Sequence, residues 1–193
     1  MKIGIFGGSF NPPHMGHLIV IESVRDQLQF DRIIFVPSAN PPNKRNVILA
    51  PAEKRLEMTG LATGDHPDFA VSDIEVRRDG LSYTIDTIRM MKSLHPGDAL
   101  SLILGSDNVL EFSTWKSPEE IIDLVELVAM GRPGAEIRSA GRNFARFAKF
   151  VTVPQIGISG TDIRRRVKLN RSIRYLVPAR VEEYIHRNGL YRD

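Results

Sequence analysis

Two histidines beside a glycine-rich turn form the strongest chemical signal in the sequence. His14 and His17 stand three residues apart, with Gly16 between them, at the end of a stretch that begins at Gly8. Residues three apart share one side of a helix, so both imidazoles can face the same ligand. An isolated histidine here would be a capping or surface residue. Two of the chain's five histidines within four residues favour a binding site instead.

The neighbouring residues predict the elements that position this pair. Lys2 to Phe6 is a short apolar run that ends at two glycines, as a buried strand does before a tight turn. Pro13 suits the first position of a helix that begins at about His14, and Gly16 is expected to leave the adjacent surface open. The helix then has an apolar face formed by Leu18, Ile21, Val24 and Leu28. Free backbone amides and the positive end of the helix dipole therefore meet the imidazoles, which predicts a phosphate site.

A second helix start with similar chemistry is predicted at Ser159 to Arg164. Ser159 and Asp162 resemble a capping box that opens a helix over Ile163 to Leu169, and an ordinary capped helix is the alternative interpretation. Thr161 and Arg164 add a hydroxyl and a cation near this start. Consecutive arginines at 164–166 cannot all face one way on a helix, so at most two of them serve a site.

Further candidates follow the ends of other predicted strands. Asp107 follows the apolar run Leu100 to Leu104 after Gly105 and Ser106, where a carboxylate can accept hydrogen bonds from ribose hydroxyls. Trp115 lies outside any periodic run, in a polar context, where an indole can stack on a planar ring. Lys44 lies in the loop after the second strand and should reach the same edge of the sheet, unless it is a solvated surface lysine.

Another potential anion site lies at Ser82 to Thr84. Ser82 is predicted to cap a helix over Ile85 to Leu94, which leaves the amides of Tyr83 and Thr84 available to an anion. An ordinary capped helix explains the same residues. Arg55, on a helix predicted over Ala52 to Thr63, is expected to be exposed.

Composition narrows the class of protein. The chain has 193 residues, 42% apolar and 25% charged, which fits one domain over 1–193. No apolar run approaches the roughly 20 residues that span a bilayer, and there is no signal-peptide pattern, so a cytoplasmic protein is expected. The absence of cysteine excludes disulfides, thiolate metal sites and a cysteine nucleophile. A net charge of +3 fits polyanionic small substrates as well as nucleic acid.

The order of elements predicts the fold class. Strands are predicted over 2–6, 32–36, 69–74, 100–104, 126–130 and 150–153, with helices between most of them. This alternation is typical of an α/β fold with a Rossmann-like, doubly wound parallel sheet. A final amphipathic helix after Pro178 gives the single domain a helical C-terminal end.

Seven segments together carry a resemblance to a known family. They are GGSFNPPHMGH, PPNK, SYTIDT, GSD followed by a tryptophan, GRPG, ISGTDIR and YLVPARVEEYIHRNGLY. From Gly7 to Tyr191 the chain resembles bacterial nicotinate-nucleotide adenylyltransferases of the HxGH nucleotidyltransferase superfamily. That resemblance implies joining of ATP and nicotinic acid mononucleotide, with Mg²⁺, to give nicotinic acid adenine dinucleotide and pyrophosphate in NAD biosynthesis. It implies no nucleic-acid or membrane partner, and it leaves a homo-oligomer open.

The resemblance also implies roles for individual residues. His14 and His17 would be catalytic, binding the ATP phosphates and stabilising charge as pyrophosphate leaves. The other residues implied to bind ATP are Gly7, Gly8, Ser9, Phe10, Gly105, Asp107, Ser159, Thr161 and Arg164. Those implied to bind the mononucleotide are Lys44, Ser82, Tyr83, Thr84, Trp115 and Arg132. No protein ligand for a metal is implied.

Two positions depart from the family pattern. Asn43 stands in the PPNK loop where relatives commonly have histidine, so a positive contribution to phosphate binding is absent. Gly160 replaces the second serine of the ISSTxIR pattern, which removes one hydroxyl contact. Both departures bear on the phosphate contacts and neither removes the histidine pair.

Two other functions compete with this interpretation. The nearer one is another superfamily member, such as phosphopantetheine adenylyltransferase or a cytidylyltransferase for glycerol phosphate, against which SYTIDT and Trp115 argue. The second is a noncatalytic RNA-binding module that uses the arginines from Arg164 to Arg174. It leaves the histidine pair unexplained, and no RNA-recognition motif accompanies those arginines.

Overall fold

The computed structural model describes residues 1–42, 49–131 and 144–192, and a six-stranded sheet lies at its centre. All neighbouring strands are parallel, in the order β3-β2-β1-β4-β5-β6. The strands are β1 (Lys2–Gly8), β2 (Arg32–Pro37), β3 (Phe69–Val71), β4 (Ala99–Gly105), β5 (Glu126–Met130) and β6 (Ala148–Val151). The chain runs outward from β1 to β3, returns to the centre at β4 and runs outward again. The predicted doubly wound sheet is confirmed, and β1 and β4 flank its topological switch point.

Helices pack against both faces of the sheet. The described helices are α1 (Met15–Leu28), α2 (Ala52–Thr63), α3 (Thr84–Leu94), α4 (Ser106–Glu111), α5 (Pro118–Leu124), α6 (Gly160–Lys168) and α7 (Ala179–Arg187). Short 3₁₀ turns follow at Phe112–Thr114 and Ala145–Phe147. None of the helices in these parts of the chain is long and apolar enough to cross a membrane.

Alternation along β1 divides the core into two layers. Ile3 and Ile5 pack with the apolar faces of α3 and α5, whereas Phe6 packs with that of α1. Gly4 lies between Ile3 and Ile5 in the strand, and a Cβ atom on it would lie 2.7 Å from the side chains of both Ile33 and Ile103. The central strand therefore needs a glycine at this position so that isoleucines of the two neighbouring strands can close over it.

The C-terminal helices form a third apolar cluster with α2. Its buried members are Met58, Ile163, Val167, Ile173, Val177, Val181, Tyr184 and Ile185. The backbone N–H of Met15, the first residue of α1, donates to the carbonyl of Leu176 at 2.9 Å. The predicted helical C-terminal end thus holds the start of α1 in place.

Three predicted strands have wrong boundaries. β1 continues through Gly7 and Gly8 rather than ending at Phe6, because both glycines pair with residues of β2. β3 ends at Val71 rather than at residue 74, because Asp73 to Arg77 turn back on themselves, with the Arg77 N–H donating to the Asp73 carbonyl. β6 covers 148–151 rather than 150–153, since its partner β5 ends at Met130 and gives the later residues nothing to pair with. In β3 and β6 the apolar run extends beyond the residues that are hydrogen-bonded to the neighbouring strand. Residues such as Ile74 are buried without being in a strand, so an apolar run alone does not mark where the strand ends.

Candidate active site

The two histidines lie at the start of α1 and form one stacked unit. His14 is the N-cap residue, in an extended conformation, so the helix begins at Met15. The prediction that Pro13 is the first helical residue is wrong. The backbone N–H of His14 donates to Nδ1 of His17 at 3.2 Å, and the two ring centroids are 3.6 Å apart. His17 thereby does what a glutamate does in a capping box, satisfying a backbone donor of the N-cap residue.

Burial and hydrogen bonding set the protonation of the pair. His14 is 8% exposed, and burial lowers its pKa from 6.5 to about 4, so the ring is neutral at pH 7. Its Nδ1 has no hydrogen-bond partner in the part of the chain described. Nδ1 of His17 accepts a backbone hydrogen bond, so the proton of its neutral ring lies on Nε2. The pair therefore offers neutral imidazoles, with a fixed tautomer at His17, rather than a standing positive charge.

Aromatic rings beneath the turn hold His17 in place. Phe10, with a positive φ of 43°, is 2% exposed and packs edge-on to His17 with ring centroids 5.2 Å apart. A Cβ atom on Gly8 would lie 3.0 Å from the Phe10 ring. Because its side chain is buried, Phe10 can approach a nucleotide only through its backbone.

Gly16 serves packing rather than open space. A Cβ atom there would lie 3.0 Å from Nδ1 of His14 and 3.3 Å from Ile156. The surface expected to be free of side chains is thus filled by the His14 ring and by Ile156. The glycine allows the imidazole to lie close to the helix backbone.

The start of α6 lies against the turn before the histidines. Nη1 of Arg164 donates to the backbone carbonyl of Asn11 at 2.7 Å, and Nη2 donates to Oγ1 of Thr161 at 3.2 Å. A Cβ atom on Gly160 would lie 2.9 Å from the same Asn11 carbonyl oxygen. In this chain the glycine therefore permits close approach of the two segments, beyond removing a hydroxyl group. The structure brings Ser159 to Arg164 close to residues 8–17, which we call the histidine stretch, as the sequence predicts.

The cap of α6 is confirmed in part. Oγ of Ser159, the N-cap residue, accepts a hydrogen bond from the N–H of Asp162 at 3.2 Å. The Asp162 carboxylate does not complete a capping box, because it forms ion pairs with Arg165 and Arg166. The helix begins at Gly160, earlier than the predicted Ile163. Of the three consecutive arginines, Arg164 alone turns toward the histidine stretch.

A cavity of about 410 Å³ opens where β1 and β4 end, and we call it the switch-point cavity. The predicted site residues in its wall are Gly7, Gly8, Ser9, Ser82, Tyr83, Thr84, Gly105 and Trp115. His14 and His17 are not among the described residues that line it, but Phe6 lines it and also packs against His17 at a centroid distance of 6.2 Å. The cavity and the histidine pair are therefore neighbours across one aromatic ring.

Ser82 is not the cap of α3, contrary to the prediction. The N-cap residue is Tyr83, while Oγ of Ser82 accepts hydrogen bonds from the backbone N–H groups of Ala39 and Asn40, at 3.2 and 3.1 Å. The N–H of Tyr83 donates to the carbonyl of Leu81. The prediction that this amide is available to an anion is therefore wrong. The amide of Thr84, in the first turn of α3, has no acceptor within the helix.

Asp107 lies in the first turn of α4, and Trp115 follows the 3₁₀ turn after that helix. The indole of Trp115 is half-buried against Phe112, with ring centroids 5.1 Å apart, and lines the switch-point cavity. Asp107 is exposed on α4, which begins at Ser106. Gly105 and Asn108 line the cavity at this end. Lys44 and Arg132, the other two predicted contacts, lie outside the described residues.

Sequence reasoning missed Arg55. Although a charged helix residue was expected to be exposed, Arg55 is 1% exposed, and burial lowers its pKa. Its guanidinium donates to four backbone carbonyls at distances between 2.5 and 3.0 Å. These carbonyls belong to Ser9, Ser38, Ala39 and Ala50. No periodic pattern gives a signal for this, because the acceptors lie in loops that the fold brings together.

Two further buried polar residues were also missed. Asn11 is 4% exposed, and its Oδ1 accepts hydrogen bonds from the N–H of Ala50 and from the hydroxyl of Tyr191, at 3.1 and 2.8 Å. Glu75 is 7% exposed and lies in the wall of the switch-point cavity. The sequence signal for Asn11 is its place inside the histidine stretch; Glu75 gives none.

Comparison with known proteins agrees with this geometry. The family model described as cytidylyltransferase-like matches residues 5–166. A protein of Thermus thermophilus named probable nicotinate-nucleotide adenylyltransferase is 46% identical, with 100% of each chain covered. One of the same name from Salinibacter ruber is 45% identical over 100% of this chain and 98% of its own.

Solved structures show the same fold at lower identity. The nicotinic acid mononucleotide adenylyltransferase of Plasmodium falciparum, complexed with NaAD, has a TM-score of 0.79 at 19% identity, covering 98% of this chain and 97% of its own. The same enzyme complexed with APC has a TM-score of 0.77. The full-length relatives and the family match together show that this chain belongs to the nicotinate-nucleotide adenylyltransferases, within the cytidylyltransferase-like family.

Proposed function

We propose that this protein joins ATP and nicotinic acid mononucleotide to give nicotinic acid adenine dinucleotide and pyrophosphate, a step of NAD biosynthesis. One observation carries the proposal: the starts of α1 and α6 meet at Asn11, beside a cavity at the switch point of a doubly wound sheet. Helix starts bind phosphate, and the switch point is where such sheets bind nucleotides. The names of the full-length relatives support the same reaction.

The reaction needs no nucleophile from the protein. An oxygen of the mononucleotide phosphate attacks the α-phosphorus of ATP, a new P–O bond forms, and the bond to the bridging oxygen of pyrophosphate breaks. The attacking phosphate is already anionic at neutral pH. Catalysis then rests on holding two polyanions in line, worth about 7 to 11 kcal/mol, and on stabilising the charge that develops.

The histidine pair and the start of α6 are proposed to hold ATP. The Nε2 proton of His17 would donate to a phosphate oxygen, and His14 would lie beside it as pyrophosphate leaves. Ser159, Thr161 and Arg164 would hold the β- and γ-phosphates. The remaining proposed contacts are the backbone of Gly7 to Phe10, Gly105, and Asp107 at the ribose.

The switch-point cavity is proposed to hold the mononucleotide. Trp115 would stack on the pyridine ring, and the first-turn amide of Thr84 would meet the ring carboxylate. Tyr83 and Ser82 would shape this end, with Lys116 lying 4.4 Å above the Tyr83 ring. Lys44 and Arg132, which lie outside the described residues, are proposed to approach the phosphates.

Magnesium fits this site only as a companion of the ATP phosphates. Within residues 1–42, 49–131 and 144–192, no group of three histidine, aspartate, glutamate or cysteine side chains could hold a metal ion. Mg²⁺ commonly binds through substrate phosphates with few protein ligands, and it would neutralise charge on the leaving pyrophosphate. The enzyme is proposed to act in the cytoplasm, where ATP is abundant, and without a nucleic-acid partner.

The test is an assay with purified protein, ATP and Mg²⁺, in which dinucleotide and pyrophosphate are both measured. Nicotinic acid mononucleotide should give equal amounts of the two products. Phosphopantetheine and, with CTP, glycerol phosphate serve as competing acceptors. Turnover with either of these and none with a pyridine mononucleotide would overturn the proposal.

A further inference from the structure

Glu75 is a buried acid in the wall of the switch-point cavity. Its side chain follows β3 and lies under the first turn of α3, where the hydroxyl of Thr87 donates to Oε1 at 2.6 Å. Its Oε2 is buried and has no hydrogen-bond partner in the part of the chain described. Tyr83, Thr84 and Trp115 line the same cavity. Glu75 therefore places a buried carboxyl group in the wall of the cavity, near the residues proposed to receive the pyridine ring.

The charged groups around Glu75 do not neutralise it directly. Arg78, on its own segment, donates to Oγ1 of Thr87 at 3.2 Å and attracts the carboxylate weakly. Arg55, on α2, acts only at longer range because its donors are used on backbone carbonyls. Lys116, beyond α4, forms an ion pair with Asp86 on α3. Burial prevails over these attractions and raises the pKa of the Glu75 carboxyl.

We propose that Glu75 is an acceptor-specificity residue: while neutral it admits a pyridine carboxylate to the cavity, and once ionised it disfavours the carboxylate relative to the uncharged carboxamide. This inference rests on the proposed function and deepens it. It names the ring substituent, acid or amide, that the site distinguishes. Glu75 need not contact the phosphates or the reacting atoms.

Electrostatics gives the direction of the effect. Two negative charges in a partly desolvated cavity repel each other, whereas a neutral carboxyl group does not repel the substrate's ring carboxylate. Ionisation of Glu75 therefore lowers the preference for the acid through this repulsion.

The measurement is the ratio of kcat/KM for the acid mononucleotide to kcat/KM for the amide mononucleotide, across a pH range above the ordinary carboxyl pKa of 4.5. The two acceptors share the same phosphate, ATP and histidine pair, so the titration of those groups cancels in the ratio. We expect the wild-type ratio to fall about tenfold or more as the pH rises through the ionisation of Glu75.

Two variants assign this change to Glu75. In Glu75→Gln, a neutral isostere, the ratio should stay within about twofold of the wild-type value at low pH throughout the range, since no charge forms. Thr87→Val removes one of the two hydroxyls, with that of Ser82, that stabilise the carboxylate, so the fall should move to higher pH. The second variant keeps the test available if the first fails to fold.

Three outcomes count against the inference. A wild-type ratio that does not change with pH overturns it while leaving the proposed function intact. A pH-dependent ratio that persists unchanged in Glu75→Gln, or that does not move in Thr87→Val, does the same. Absence of turnover with both pyridine mononucleotides would overturn the proposed function and this inference together.

Discussion

His14 is neutral at pH 7, and a backbone hydrogen bond fixes how the His17 ring lies beside it. The N–H of His14 occupies Nδ1 of His17, so rotation of the His17 ring would break a hydrogen bond. A bound triphosphate would favour protonation of His14, because nearby negative charge raises the pKa of a histidine. Protonation of His17 would place a proton on Nδ1 and break the hydrogen bond from the His14 N–H. The proposed site can thus gain positive charge at His14 when a triphosphate binds.

His17→Ala is expected to reduce turnover at least about a hundredfold, because one donor aimed at developing phosphate charge contributes about 3 kcal/mol. The fold should survive, since only a single capping interaction is lost. Steady-state kcat and the melting temperature measure the two effects. His186→Ala, at an exposed position in the last turn of α7, is the matched control. A His17→Ala enzyme that keeps most of its activity would contradict the role given to this ring.

His14 is expected to make the unfolding free energy depend on pH. Its pKa is 6.5 when unfolded and about 4 when folded, so between these values the unfolded chain binds a proton that the folded chain does not. The stability tied to the neutral ring is complete above pH 6.5 and is lost as the pH falls toward 4, by roughly 3 kcal/mol.

Urea unfolding of the wild type and of His14→Asn at pH 7 and at about pH 4.5 tests this. Asparagine is a good N-cap residue that does not titrate, so the difference between the two proteins isolates His14 from the other acids. Equal losses of stability in both proteins would show that His14 titrates normally in the fold.

At this scale the sequence predicted the side chains that lie at the two helix starts and missed the buried polar ones. His14, His17, Ser159 and Arg164 stand in short motifs whose local geometry follows from helix starts. Burial of Glu75, by contrast, depends on contacts with Thr87 on a separate element, which no local pattern reports. The protonation state of such a group depends on the residues packed around it rather than on its neighbours in sequence.

The close approach of the start of α6 to the turn before α1 is important for the proposed ATP site. Its amides can face a phosphate bound at the histidine pair only while Arg164 and Gly160 lie against the carbonyl of Asn11. The sequence predicted that both helix starts lie at one edge of the sheet. It did not predict this contact, because the partners are 153 residues apart in the chain.

Gly160→Ala tests the close approach directly. The added methyl group would lie 2.9 Å from the Asn11 carbonyl oxygen, so α6 must move away, at a cost of about 1 to 3 kcal/mol in stability. We expect a higher KM for ATP and a lower melting temperature. Gly157→Ala is the matched control, because its Cβ would meet nothing within 4 Å. Identical kinetics in both variants would mean that the contact between α6 and Asn11 does not position the triphosphate.

Across the whole molecule, three distant parts of the chain converge beneath the histidine stretch. Asn11 accepts hydrogen bonds from Ala50 before α2, from Arg164 on α6 and from Tyr191 near the C-terminus. The alternation of strands and helices predicted the doubly wound parallel sheet. It could not predict this junction, since the order of elements says which edge they share but not which buried side chains join them.

Arg55 joins the loops on the same side of the switch point. One guanidinium holds a carbonyl from the turn after β1, two from the loop after β2 and one from the segment before α2. A planar group with five N–H donors can reach several acceptors at once, whereas a lysine ammonium offers three donors at a single point. One buried guanidinium therefore holds together the loops at this edge of the sheet.

Arg55→Met should destabilise the protein by about 3 kcal/mol or more, because it leaves buried carbonyls without donors, and Arg55→Lys should recover only part of this. Denaturant unfolding gives the stability. Kinetics at a temperature where each variant is folded should show reduced kcat, since the loops lose their fixed spacing. Arg77→Met, at a side chain 81% exposed, should change stability by less than about 0.5 kcal/mol. If Arg55→Lys matched the wild type in both measurements, the spacing of these loops would have to come from the sheet and not from the guanidinium.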